Sequence, residues 1–61
     1  MSAIGYIQSI KVLIVRFKNG SVYEYDLPIS VFEEMKAEDS KGRFFNRRIR
    51  DKFPFRRLAL N

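Results

Sequence analysis

Cysteine, histidine and tryptophan are all missing from this 61-residue chain. The lack of Cys removes disulfides and thiol nucleophiles, and the joint lack of Cys and His removes the usual ligands of a structural zinc site. Without His, no side chain has an ordinary pKa near neutrality from which to act as a general base. Three glycines are present and no Gly-rich phosphate loop. The longest aliphatic run, Val12-Leu13-Ile14-Val15, falls far short of the roughly 20 apolar residues that span a bilayer. No basic segment followed by an apolar stretch opens the chain, so no signal peptide is visible and no membrane partner is expected. An exported domain of this size normally needs disulfide staples, so a reducing cytoplasm is the expected location. Glu24 and Asp26 are the nearest approach to a carboxylate pair, and they are expected to diverge to opposite faces of a strand. A protein without catalysis, cofactor or metal is the expectation.

What is present is unevenly placed. The formal net charge is +5. From residue 41 onward, Lys41, Arg43, Arg47, Arg48, Arg50, Lys52, Arg56 and Arg57 stand against Asp51 alone. Before that point the cations Lys11, Arg16, Lys18 and Lys36 are outnumbered by Glu24, Asp26, Glu33, Glu34, Glu38 and Asp39. A surface serving only solubility mixes its signs, whereas a segregated basic end is expected when the partner is a polyanion. Arg outnumbers Lys 7 to 5, and the guanidinium fork suits phosphate.

Residues 1–61 form one small domain. At this size only about 60% of the extended-chain surface is buried, so stability is modest and a monomer or weak homodimer is expected. An apolar fraction of 46% with six Phe and three Tyr nevertheless supports a packed core. Residues 4–7 read as a short edge strand, and residues 12–17 and 22–27 as a hairpin around Lys18-Asn19-Gly20. A two-residue loop would pair Val15 with Glu24. A three-residue loop with Gly20 left-handed pairs Phe17 with Ser21, Val15 with Tyr23 and Leu13 with Tyr25, which gathers the apolar side chains on one face, and this register is preferred. Pro28 ends the strand. Ser30 and Glu33 have the spacing of a capping box opening a helix to about residue 37. Ser40 is a second N-cap candidate, ahead of a helix over residues 41–52 that the Phe53-Pro54 pair stops. On that helix Phe44, Phe45 and Ile49 share one side, while Arg43, Arg47 and Arg50 form a stripe opposite. Arg48 is placed to pair with Asp51, and Phe55-Arg56-Arg57-Leu58 continues as a tail.

The ordered set Ile4-Gly5-Tyr6, Leu13-x-Val15-x-Phe17-x-x-Gly20-x-x-Tyr23-x-Tyr25, Leu27-Pro28-x-x-Val31-Phe32, Ala37, Ser40-x-Gly42 and Phe45-Asn46-x-x-Ile49-Arg50 resembles the KTSC domain. That family is named for the C-terminus of some lysyl-tRNA synthetases and also occurs as a free-standing small protein. The resemblance runs without gaps from Ile4 to about Leu58, and Tyr23-x-Tyr25 is its hallmark. Ile7 stands where the family usually has Asp, and only Met1-Ser2-Ala3 precede the Ile-Gly-Tyr where the family has a Ser-rich strand, so a curtailed first strand is expected. The family has no established activity, and RNA binding has been suggested for it. The resemblance therefore carries over no catalytic residue and favours RNA over DNA.

The expected fold is α+β: a small antiparallel sheet of two to three strands with a central hairpin, followed by two helices packed on one face. The expected function is a nucleic-acid-binding module contacting phosphates through Lys41, Arg43, Arg47, Arg50, Lys52, Arg56 and Arg57. Tyr6, Tyr23 and Tyr25 are candidates for base stacking, although in so short a chain the core has a strong claim on Tyr23 and Tyr25. The alternative is a protein-interaction module that docks its basic face on an acidic protein partner or adds a strand edge to another sheet. The acidic patch of Glu33, Glu34, Glu38 and Asp39 is read as helix-end and solubility charge rather than as a cation site.

Overall fold

The computed structural model describes residues 2–59. The elements run β1 (Ala3–Ile7), β2 (Val12–Arg16), β3 (Val22–Asp26), α1 (Ile29–Ala37), α2 (Lys41–Phe44, continued by a π-turn over Phe45–Ile49) and β4 (Phe55–Ala59). The strands form one sheet in the order β1-β2-β3-β4, each pair antiparallel. Among the described residues no helix is long and apolar enough to cross a membrane.

The small α+β class is observed, but the sheet has four strands among the described residues, not the expected two to three. The unforeseen strand is β4, the segment expected to be a tail. It pairs with β3 through Tyr25–Phe55, Glu24–Arg56 and Tyr23–Arg57, with a bulge at Val22/Tyr23. Two adjacent arginines break the period-2 alternation by which strands are recognised. The first strand is not curtailed: β1 pairs with β2 over five residues, from Ala3–Arg16 to Ile7–Val12.

The hairpin has the expected three-residue register. Leu13 pairs with Tyr25 and Val15 with Tyr23. The Phe17 N–H donates to the Ser21 carbonyl at 2.9 Å, and the Gly20 N–H to the Phe17 carbonyl at 2.9 Å. Gly20 has φ 89°, a conformation that a side chain strains. The Ser21 N–H, in a buried residue, donates to Asn19 Oδ1 at 3.0 Å.

The capping box does not form. The first helix begins at Ile29, with Pro28 extended at the N-cap and no side-chain cap. Ser30 therefore lies inside the first turn, where its hydroxyl no longer faces free N–H groups, and the Val31 N–H closes that turn on the Pro28 carbonyl at 3.1 Å. Glu33 instead pairs with Lys36 at 3.2 Å. Ser40 does cap α2, its Oγ accepting from the Arg43 N–H at 3.3 Å. The second helix stops at Ile49 rather than reaching residue 52. Its last turn is wide: the Arg50 N–H donates to the Phe45 carbonyl, five residues back, at 2.8 Å. Arg50 is then extended (φ −58°, ψ 128°) and Asp51 is left-handed (φ 62°).

Both helices pack on the sheet face that carries Leu13, Val15 and Tyr25. Val31 and Met35 from α1 and Phe44, Phe45 and Ile49 from α2 complete the core. Tyr6 closes one side: its hydroxyl donates to the Leu27 carbonyl at 2.8 Å and its ring stacks on Phe32 at 4.9 Å. The cover ends over β3, so Phe55 and Leu58 on β4 are each 51% exposed. Because the hairpin register depends on a positive φ at residue 20, Gly20→Ala is expected to cost about 1–2 kcal/mol. Urea denaturation of the two proteins measures this, and equal stabilities would count against the bulged loop.

Candidate nucleic-acid interface

The early stop of α2 shapes a cleft beside β4. Had the helix continued, Arg50 and Asp51 would lie along its flank. The extended residue followed by a left-handed one turns both toward β4 instead. They form one wall of a cleft of about 410 Å³, whose floor is Phe17, Tyr23, Tyr25, Phe45 and Phe55 and whose far wall includes Asn19, Ser21 and Arg57. The floor rings touch one another. Tyr25 meets Phe45 edge-on at 5.1 Å, and Phe55 lies tilted at 5.6 Å from Tyr25 and 5.9 Å from Tyr23. Tyr23 and Tyr25, side by side along the strand, stack at 6.3 Å. Such contacts hold the rings in place, and Phe55 stays half-exposed.

Both hallmark tyrosines therefore serve two purposes. Tyr25 is 4% exposed and belongs to the core, yet its edge lines the cleft. Burial pushes its hydroxyl above the ordinary tyrosine range, with Tyr23 and Asp51 raising it further and Arg50 pulling it down. Tyr23 is only half-buried. Tyr6 lies outside the cleft and is committed to Leu27 and Phe32. Sequence reasoning missed Phe55, Asp51, Asn19 and Ser21 as cleft residues, because Phe55 joins the hairpin-loop residues only through β4 pairing and Asp51 only through the break after α2.

The seven cations divide by their engagements. Arg56 is spent on structure. Its Nε donates to Glu24 Oε1 at 2.9 Å, and its Nη1 and Nη2 donate to the two Asp26 oxygens at 3.2 and 3.0 Å. The expectation that Glu24 and Asp26 diverge fails, since residues two apart on a strand share a face. Arg47 lies 4.0 Å from Glu38. Arg48 is structural as expected, but its partner is Glu34 on α1 at 3.1 Å rather than Asp51, and it also covers the Phe44 ring at 5.4 Å. Arg57 donates to Ser21 Oγ at 3.3 Å and lies over the Tyr23 ring at 5.7 Å. Among the described residues Lys41, Arg43, Arg50, Lys52 and Arg57 have no carboxylate partner.

These free cations do not form the expected single stripe. The wide turn and the break after Ile49 swing Arg50 away from Arg43 and Arg47. Lys41 stands at the other end of α2, where it and Gly42 make a shallow groove with Ser2, Ala3 and Ile4. The free charges thus run along α2 from the β1 side and end in the cleft. Glu33 and Glu34 of α1 pair with Lys36 and Arg48, and Glu38 just past it pairs with Arg47. Among the described residues no three acidic side chains come together as a cation site.

Comparison with known proteins settles the family. Residues 1–53 match the family model of the KTSC domain. This chain belongs to the KTSC family. It is 44% identical over 55 residues to a lysine–tRNA ligase of Nostoc punctiforme, covering 88% of this chain and 10% of the ligase. Another lysine–tRNA ligase, from Trichormus variabilis, is 38% identical over 55 residues with the same coverage. A protein of Tsukamurella paurometabola is 35% identical over 54 residues, spanning 87% of this chain and 81% of its own length. The KTSC chain spans about a tenth of the length of the ligases it matches. The family match stops before β4, so Phe55 and Arg57 are contributed by residues beyond it.

Hydrogen bonds from Arg56 hold the Asp26 carboxyl below its ordinary value of 3.8. A depressed carboxyl stabilises the fold above its unfolded-state pKa and ceases to do so as pH falls through the folded-state value. The stability gap between the KTSC domain and its Asp26→Asn variant is therefore expected to be present at about pH 6 and to shrink below about pH 4. Thermal midpoints across that range test this, and a gap independent of pH would show that Asp26 acts without its charge.

Proposed function

We propose that this KTSC domain is a non-catalytic module that binds single-stranded nucleic acid, RNA in preference to DNA. The observation that carries the reading is the cleft: an aromatic floor, half-exposed at Phe55, with the guanidinium groups of Arg50 and Arg57, neither in an ion pair among the described residues, on its two walls. Every base has a π-face, so stacking on Phe55 tolerates any sequence, while Arg50 and Arg57 meet the flanking phosphates. Arg43, Lys41 and Lys52 extend the basic track along and beyond α2. Arg47 contributes once Glu38 yields it, which costs little for a 4.0 Å exposed pair. Arg56 contributes nothing to phosphate binding, because Glu24 and Asp26 neutralise it. The preference for RNA draws on the ligase relatives, whose names include tRNA.

Binding to a protein has a separate basis. The sheet face opposite the helices is uncovered, and Ile14 and Val22 lie in a groove of about 510 Å³ bordered by Ala3, Gly5 and Arg16. The edges of β1 and β4 are also open to strand addition.

Fluorescence anisotropy with labelled single-stranded RNA, double-stranded RNA and double-stranded DNA across a salt series separates the two readings. With about four phosphate contacts, the log–log salt slope for a single strand is expected near −3. Phe55→Ala, at a half-exposed position, should weaken binding by about 1–3 kcal/mol per stacked base without unfolding the domain. Arg50→Glu with Arg57→Glu should weaken it further, and Arg56→Glu should act through stability rather than through the salt slope. Absence of salt-dependent binding to all three probes would overturn the proposal in favour of the protein-docking face.

A further inference from the structure

Asp51 is the one acidic residue after residue 40, and it lines the cleft that holds Arg50 and Arg57. A carboxylate there opposes phosphate binding. A negative charge just past a helix C-terminus is also electrostatically unfavourable, although Asp tolerates the left-handed φ of 62° found here. Among the described residues its carboxylate forms no ion pair and accepts no hydrogen bond. A left-handed residue, a wide helical turn directly before it and an exposed carboxylate with no protein partner among the described residues coincide at one wall of an aromatic cleft, and wide helical turns are frequent at functional sites.

A carboxylate has two acceptor oxygens and no donor. Of the four RNA bases, guanine alone presents two adjacent N–H donors on its Watson–Crick edge. Adenine, cytosine and uracil each place an acceptor beside a single donor. That edge is free only when the base is unpaired. Resting on the reading of the cleft as a single-strand site, we infer that it selects one unpaired guanine of a strand: the base stacks on the half-exposed Phe55, Asp51 accepts from N1–H and N2–H, and Arg50 and Arg57 take the neighbouring phosphates. The repulsion between Asp51 and phosphate then acts against strands that cannot offer the paired donors, which gives selectivity as well as affinity.

The test uses labelled oligouridine heptamers with G, A, C or U at the centre, titrated against the wild type and Asp51→Asn. The wild type should prefer the G heptamer roughly tenfold, the scale of a two-bond base contact. Asp51→Asn should lose that preference while keeping salt-dependent binding to all four strands. It should also fold at least as stably, since Asn accepts the left-handed conformation and removes the charge at the helix end. Free GMP should compete only at much higher concentration than the G heptamer; equal affinity would reassign the cleft to a free nucleotide and overturn the strand reading. Salt-dependent binding with no base preference, or a preference unchanged in Asp51→Asn, would overturn the guanine assignment and leave the single-strand reading standing. Absence of binding to every heptamer at low salt would overturn both.

Discussion

The pairing of β3 with β4 is the constraint on which the rest of this small domain depends. Arg56 and Asp26 are 30 residues apart in sequence, with both helices between them. By returning to pair there, β4 makes β3 an interior strand and encloses the edge of Tyr25. Main-chain hydrogen bonds supply the register, and Arg56 reinforces it on the open face by gripping Glu24 and Asp26 together. The helices reach only as far as β3, so the strand that completes the sheet projects beyond their cover. The cleft is the uncovered remainder.

Much of this was legible in the residues. The hairpin register followed from Gly20 and from the demand that Leu13, Val15, Tyr23 and Tyr25 share a face. Ser40 signalled the start of α2, and the spacing of Ile4, Gly5, Tyr6, Tyr23 and Tyr25 pointed to the family. Two features were hidden. The alternation test fails on Phe55-Arg56-Arg57-Leu58, because Arg57 occupies a position facing the helix side, where an apolar residue is the usual signal. The helical wheel assumes 100° per residue, and the wide turn over Phe45–Ile49 breaks that assumption. Arg50 was therefore placed on a stripe with Arg43 and Arg47, whereas it lines the cleft. Asp51 was read as a helix ion-pair partner and not as a residue set apart by its backbone. The capping box failed for a simpler reason: Pro28 admits the helix two residues earlier than Ser30 requires.

The charge asymmetry of the sequence survives folding in altered form. Three of the eight cations after residue 40 are drawn into pairs with the acidic first part of the chain: Arg47 with Glu38, Arg48 with Glu34, and Arg56 with Glu24 and Asp26. The Arg47 and Arg48 pairs are exposed and individually weak, whereas Arg56 grips two carboxylates at once. Their effect is to tie the basic segment to α1 and β3. The charge left over is concentrated on the start of α2 and around the cleft. Counting cations along the chain thus overstates the free positive surface and hides where it lies.

The sequence separations also set an order of assembly. Contacts among β1, β2 and β3 close short loops, whereas β4 must close one of about thirty residues, and the entropy of such closure delays non-local pairing. The cleft does not exist until this last step, because Phe55 and Arg57 arrive with β4 and Asp51 is turned inward by the chain that leads to it. Any molecule held between those residues bridges the last-formed strand to the earlier ones. Occupancy and completion of the fold are for that reason thermodynamically linked, each favouring the other.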